Sequence, residues 1–352
     1  MKKLIVFVVM MPIILSTFIS CNFSSTSITL GNNFSNINLL CGACDDENHV
    51  YYIDTYKKVM RISKETGKIT DMGVSTDFLG TLSIVDGYLY LNAADYDSGG
   101  CCVTITPCKI NLSRIKEITY FDYETTGIGS AGDPVIKIGE TIYFGDGSGG
   151  TAIGDIYYQI LGAENNAIYA FIKEDGETET IIENGLHQRM TLVYKLSTDW
   201  KINQKLFQFC YESGYPLEEG SFHGISIFNI IFGGYMYSIM PNKYDPDRYG
   251  FYDYQLYRNK LSKNSEKEVL YEFGNNYARI LAITDDGVYF YITEAETHKL
   301  SNIHRVNHDG TDMTELPYKY DVYNFDTDGY YFVSNTDGKL YGIIDDDIIL
   351  IK

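Results

Sequence analysis

A three-residue pattern recurs along this chain: a basic residue, an aliphatic one, then Ser or Asn. It reads Arg61-Ile62-Ser63, Lys109-Ile110-Asn111, Lys195-Leu196-Ser197, Lys260-Leu261-Ser262 and Arg305-Val306-Asn307, with starts separated by 48, 86, 65 and 45 residues. The gap of 86 is close to two units, so a degenerate copy is expected in the middle, near "DIYYQIL" at 155–161. A second signal precedes the triplets: a polar or Gly turn, then aliphatic and aromatic residues. Its copies are "ENHVYY", "DGYLYL", "GETIYF", "NNAIYA", "GGYMYS", "DDGVYFY" and "TDGYYFV", with tyrosines at Tyr51, Tyr90, Tyr143, Tyr169, Tyr237, Tyr289 and Tyr331. A third follows the triplets, a turn and a short apolar run such as "GKITDMG" or "EKEVLYEF".

Short β-branched and aromatic runs bounded by Gly, Asn and Asp predict strands joined by hairpins. No stretch after residue 38 has a helical period. A unit of about 45 residues cannot bury both faces of its own sheet, so copies must stack, and radial stacking makes a β-propeller. The fold class is therefore all-β, a β-propeller of four-stranded antiparallel units over residues 39–352. Seven tyrosine copies favour seven blades. Six is the alternative, because Tyr143 and Tyr169 lie only 26 residues apart and could share a blade. The 32 tyrosines against one tryptophan suit strands and half-buried surfaces. A formal charge of −19 argues against nucleic acid, whose phosphates need clustered Lys and Arg.

The first residues carry an address. Lys2 and Lys3 precede an apolar run from Leu4 to Leu15, which ends in small or polar residues before Cys21. That is the layout of a secretory signal rather than of a membrane-spanning helix. Its end, "FISC", resembles the bacterial lipoprotein box, with Phe18 where Leu is usual. The resemblance implies a signal peptide over 1–20, cleavage before Cys21, and a lipidated Cys21 holding the chain to the extracytoplasmic face of the membrane. Loss of Lys2 and Lys3 would leave a charge of −21. Residues 21–38, polar and rich in Ser and Asn, are then expected to be a tether.

The arrangement "ITDDGVYFYI…NIHRVNHDGTDMTEL" is similar to repeats of the YWTD propellers of low-density-lipoprotein-receptor type. It looks more like their bacterial relatives, a receptor-related-protein-like propeller family of uncharacterised function found in lipoproteins and surface proteins. "YFYI" and "YFVS" stand where the tetrapeptide would be. The resemblance implies binding more than catalysis, and a usual count of six blades. It supplies no functional residues.

His304 and His308, beside Asp309 and Asp312, could form half a metal site, but no other copy of the repeat has them, and strand-and-turn filler is the expectation. Asp309-Gly310 then makes a turn. Six cysteines follow Cys21, namely Cys41, Cys44, Cys101, Cys102, Cys108 and Cys210, and a staple between the first two blades or buried thiols is expected. "CGAC" lacks the following helix that redox motifs use. "DYDSGG" at 95–100 and "GDGSGG" at 145–150 fall short of calcium-loop spacing, and "DDD" at 345–347 reads as a turn.

The most informative insertion is "PNKYDPDRYGFYDYQLY" at 241–257. It lengthens one hairpin and groups Tyr244, Tyr249, Tyr252 and Tyr254 with Asp245, Asp247 and Arg248, a mixture common in binding loops. These seven are the candidate ligand-binding residues. No catalytic residue, metal site or cofactor is assigned, since no nucleophile elbow, zinc helix or phosphate loop is present. The expected function is a lipid-anchored cell-surface module binding a protein or glycan. The alternative is an extracytoplasmic propeller enzyme, a glycan hydrolase or lyase, with acids meeting at the central channel.

Overall fold

Among the described residues the computed structural model has thirty strands, and all their pairings but one are antiparallel. The structure describes residues 27–352 apart from 34–35, 37–41, 77–81, 97–101, 122–126, 130–134, 146–150, 154–155, 173–178, 184–185, 217–221, 227–228, 246–249, 295–299 and 321–328. No α-helix occurs among the described residues.

Strand β1 (Ile28–Leu30) joins a later sheet. Blade 1 is β2 (Cys44–Asp45), β3 (His49–Ile53), β4 (Lys58–Ser63) and β5 (Ile69–Ser75), and blade 2 is β6 (Ser83–Val85), β7 (Tyr88–Tyr96), β8 (Cys102–Asn111) and β9 (Ile118–Tyr120). Blade 3 orders β1 beside β11 (Ile136–Ile138), β12 (Thr141–Gly145) and β10 (Gly127–Gly129), the last parallel to β12. Blade 4 runs β13 (Thr151–Ile153), β14 (Ile156–Glu164), β15 (Ala167–Ile172), β17 (Leu186–Leu196), β18 (Ile202–Pro216) and β19 (Phe222–Ser226), with β16 (Glu179–Glu183) also on β17. Blade 5 is β20 (Asn229–Phe232), β21 (Tyr235–Asp245), β22 (Gly250–Lys260) and β23 (Lys267–Gly274). Blade 6 is β24 (Tyr277–Thr284), β25 (Gly287–Thr293), β26 (Leu300–Val306) and β27 (Thr314–Lys319). Blade 7 has β28 (Tyr330–Val333), β29 (Leu340–Ile344) and β30 (Asp347–Leu350).

The seven sheets close into a ring, a seven-bladed β-propeller, through apolar clusters between successive blades. Met72 and Val74 of blade 1 meet Leu82 and Leu89 of blade 2, and Val85 and Tyr90 of blade 2 meet Val135 at blade 3. Ile136 and Ile138 of blade 3 pack on Ile160 and Ile168 of blade 4; Phe171 and Val193 of blade 4 pack on Ile231 and Met236 of blade 5. Phe273 meets Phe290 from blade 5 to blade 6, and Tyr291 meets Tyr331 and Val333 from blade 6 to blade 7. The circle is completed where Phe332 and Ile343 of blade 7 pack on Ala43, Val50, Tyr52 and Ile62 of blade 1. Each large aliphatic buried in this way contributes roughly 1.5–3 kcal/mol.

The repeat has a physical explanation at each position. The basic residue lies directly across from the repeat tyrosine: Arg61 from Tyr51, Lys109 from Tyr90, Lys195 from Tyr169 and Arg305 from Tyr289. The aliphatic residue, Ile62, Ile110, Leu196 or Val306, points the other way and is fully buried between blades. The third residue opens the next turn, as in the pairs Ser63 N to Lys68 O and Asn307 N to Thr311 O. Two-residue turns before the tyrosines need positive φ at both positions, which Asp86-Gly87, Asn165-Asn166 and Gly233-Gly234 supply.

Two repeat assignments change. In blade 5 the cation opposite Tyr237 is Arg258, so the triplet position is held by Arg258-Asn259-Lys260, and Lys260-Leu261-Ser262 lies two residues beyond it. The period-2 alternation of a strand kept the misplaced copy on the same face. "DIYYQIL" forms β14, the strand before the tyrosine strand, not a degenerate triplet. Tyr143 and Tyr169 sit in separate sheets, which settles the count at seven.

The boundary between tether and propeller also moves. The expected tether over 21–38 contains β1, whose Ile28, Thr29 and Leu30 pair with Ile138, Lys137 and Ile136 of blade 3. From there the chain crosses from blade 3 past blades 2 and 1 to blade 7. Gly31 N donates to Val135 O and its carbonyl accepts from Ile84 N, with Gly required because a Cβ would lie 2.7 Å from the Ser83 Cβ. Asn32 and Asn36 are buried polar residues. The Asn32 amide donates to Ala43 O and Leu82 O, and Asn36 both donates to Val333 O (2.9 Å) and accepts from Val333 N (2.6 Å). One segment therefore bonds blades 3, 2, 1 and 7.

Candidate functional site

The hairpins β2–β3, β6–β7, β11–β12, β14–β15, β20–β21, β24–β25 and β28–β29 turn on one face of the disc, called lower here, while β3–β4, β7–β8, β15–β17, β21–β22, β25–β26 and β29–β30 connect on the other, the upper face. Lower-face turns are tight, for example Asp86-Gly87 and Asn165-Asn166. On the upper face blades 2, 4 and 5 differ from the rest. In blade 1 the pairing stops at Ile53–Val59, and in blade 7 at Ile344–Asp347. Blade 2 pairs out to Tyr96–Cys102, blade 5 out to Asp245–Gly250, and blade 4 out to His187–Gly214 with β16 and β19 alongside. β21 has 11 residues where β3 has five, so its hairpin rises about 20 Å further.

The extensions of blades 4 and 5 brace each other. Met190 and Cys210 pack against Met240 and Tyr257 in a separate apolar cluster above the main core. The Tyr257 hydroxyl meets the side-chain amides of Asn242 and Gln255, and the Lys267 ammonium lies 4.1 Å from the centre of its ring. Lys243 and Asp253 form a partly exposed ion pair at 3.2 Å, and Asp253 sits at φ +60. The Tyr257 ring is itself buried, and its bonds to the two amides together with the Lys243–Asp253 pair hold the crest together.

The candidate residues divide. Tyr244 and Asp245 pair with Phe251 and Gly250, and Tyr252 with Lys243, so their backbones build the upper end of the crest. Asp247, Arg248 and Tyr249 lie outside the described residues. Tyr254 does not serve as a ligand residue: it is 3% exposed and packs edge-on against Tyr277, 5.1 Å away, in the core between blades 5 and 6. Strand alternation placed it inward, and the dense run of tyrosines concealed that. Cys21 and the apolar leader also lie outside the described residues.

His304 and His308 are both committed to other work. His304 Nδ1 donates to the Asn302 carbonyl at 2.9 Å, its ring stacks on Phe290, and burial pushes its pKa down. His308 Nε2 donates to Thr284 O at 2.8 Å while Nδ1 accepts from the Tyr237 hydroxyl at 3.0 Å. His308 also stacks on Phe232, and its carbonyl accepts from Arg258. It ties blade 6 to blade 5, a role the repeat comparison missed because no other copy carries it. Asp309 is held below the usual carboxylate range by the hydroxyl and N–H of Thr311, the donors of its own turn.

Cys44, Cys108 and Cys210 are buried in apolar surroundings and are not joined in disulfides, so they form no staple between the first two blades. Burial pushes the Cys108 thiol up to about 12. Cys41 and Cys101 lie outside the described residues, as does most of "DYDSGG" and "GDGSGG". Among the described residues no three of His, Cys, Asp and Glu gather as a metal site. Asp345 and Asp346 take positive φ as the turn of the last hairpin.

Near the axis stand amides, Asn32, Asn36 and Asn335, with the carboxylate of Asp45. Asp45 is fully engaged, by Lys64 at 2.6 Å, the hydroxyls of Ser334 and Thr336, and the Asn335 N–H. The arrangement fastens blade 7 to blade 1. It does not present a pair of acids to a substrate.

Together these features define a seven-bladed propeller with a built-up upper face and an N-terminal segment bonded to four consecutive blades. Solved structures with a similar course include oligogalacturonate lyase from Vibrio parahaemolyticus, at 10% identity and TM-score 0.37 over 93% of this chain and 90% of that one. The computationally designed Ika8 protein matches at 8% identity and TM-score 0.35, over 89% and 95% of the two chains. The Pyrococcus horikoshii acylaminoacyl peptidase matches at 10% and 0.35 over 91% of this chain, which spans about half (47%) of the peptidase's length. No protein-family model matches the chain, and no curated protein matches it. The activities of those neighbours are their own.

Proposed function

We propose that this chain is an extracytoplasmic propeller, lipid-anchored at Cys21, that binds a protein or glycan at a bacterial cell surface. It would stand with the YWTD-like surface propellers that "DGVYFYI" and "HRVNHDG" resemble. The observation that carries the reading is the relation between the N-terminal segment and the crest. The Ser27 carbonyl accepts from Gly139 N, and Ile28 N donates to Asn166 Oδ1, so both sit at lower-face turns. Seven residues separate Cys21 from Ile28, a reach of at most about 25 Å. A lipid at Cys21 would hold the lower face toward the membrane and raise the hairpins of blades 2, 4 and 5 away from it. Loops on a rigid scaffold, turned from the anchor, are where recognition is usually carried.

The hydrolase or lyase alternative needs acids converging on the channel, and the crossing segment with its amides gives that reading no support. Cell fractionation tests the anchor: Cys21→Ala is expected to move the protein from the membrane to the soluble fraction, and unchanged retention would refute lipidation. Incubation of the immobilised chain with cell-envelope extract tests the binding. Recovery of a specific envelope protein or glycan is expected, and recovery of none would count against it.

A further inference from the structure

Blade 7 has three strands where five of the other sheets have four and blade 4 has more. Its outer strand is β30, and no strand pairs with the far side of β30 among the described residues. The phase of the open edge is fixed by Ile351 N donating to Leu340 O. In an antiparallel ladder the bonded residues alternate, so 347, 349 and 351 turn their backbone groups toward β29. Ile348 and Leu350 therefore direct their N–H and C=O groups outward.

Such an edge is usually guarded by charge, Pro, bulges or brevity. The outer strands of the other regular blades follow that rule. β5 carries Asp71 and Gly73 at φ +75 with a register shift, and β9 has three residues. β23 carries Lys267, Glu268 and Glu272 with two shifts, while β27 carries Glu315, Pro317 and Lys319 with one. β30 reads Asp-Ile-Ile-Leu, pairs with β29 without a shift, and leaves Ile349 36% exposed.

We infer that this edge is the contact between two copies of the chain, pairing β30 with β30 across a twofold axis. With outward groups at 348 and 350, the antiparallel register that bonds these two positions to each other is centred on Ile349. Ile348 then bonds with Leu350 of the second copy, Ile349 faces its own counterpart, and Lys352 comes opposite Asp346 of the second copy. Lys352 and Asp346 are both exposed, so opposite charges close each end of the pairing. The surface is self-complementary, as a twofold contact must be. It joins two three-stranded sheets into one of six, and the contact does not depend on the anchor or on the crest.

Cysteine scanning in cells expressing the full chain tests the register. Residues facing each other at a non-bonded antiparallel position lie about 4.5 Å apart at Cα, within disulfide reach. Ile349→Cys should give, after mild oxidation, several-fold more reducible dimer than either the wild type or Ile348→Cys, whose copies would be too far apart. Dimer formation by Ile349→Cys no greater than by Ile348→Cys would overturn the inference. The mass of the detergent-extracted protein gives a second reading. The wild type should be a dimer at tens of micromolar and Leu350→Pro a monomer with the same melting temperature, because the Leu350 N–H makes no bond to β29. A monomeric wild type, including one that captures a different protein along β30, would rule out pairing between copies.

Discussion

Histidine 308 shows how one residue can mislead in sequence and inform in structure. Two histidines four apart beside acids suggest ligation, yet each ring is satisfied by carbonyls and neighbouring rings. What could be read beforehand was only that the other copies of the repeat lack them. The partners, Thr284, Tyr237 and Phe232, are 24 to 76 positions away and could not be read. His304 has a consequence for acid stability. Burial depresses its folded pKa below the ordinary value of about 6.5, so the folded state binds fewer protons than the unfolded one. Its contribution is whole above that value and is lost as pH falls below it. His304→Gln keeps an N–H donor for Asn302 O but does not titrate. Denaturant titrations at pH 7 and pH 5 should show a smaller loss of midpoint for the variant, and equal losses would contradict the assignment.

At the scale of elements, hairpin units were legible because the triplet and the tyrosine are held in place by facing pairs and by the core. Ile62, Ile110, Leu196 and Val306 must be aliphatic to fill the gap between blades, and that constraint repeats with the blade. Blade 3 was illegible for the converse reason. Its sheet is completed by β1 and by the parallel β10 instead of a triplet-bearing third strand. The crossing segment was misread as a tether because Asn and Ser are also linker residues. Nothing local tells that Asn36 meets Val333, 297 positions on. Asn36→Ala strands one buried N–H and one buried C=O of Val333, which should cost about 2–4 kcal/mol. Deleting residues 22–26 removes none of these bonds. Thermal or denaturant unfolding should therefore show a clear loss for Asn36→Ala and almost none for the deletion. Equal stability of all three proteins would mean that the crossing is not part of the fold.

At the scale of the molecule, the repeat count led to a propeller and left seven or six blades open, and two separate sheets for Tyr143 and Tyr169 decided it. The candidate site was legible as a long hairpin with too many tyrosines, but not as a crest shared with blade 4, since Met190 and Cys210 belong to no motif. The upper crest is proposed to be the recognition surface of a disc anchored at Cys21. Replacing residues 243–252 by Asn-Gly would close β21 and β22 in a two-residue turn between the facing positions 242 and 253, and lower the crest of blade 5 while leaving the inter-blade core in place. Capture of envelope components by the full chain and by this shortened form, compared side by side, is the most direct measurement. The full chain should recover a specific partner, and the shortened form should lose it at an unchanged melting temperature. Equal recovery by both forms would contradict the proposal.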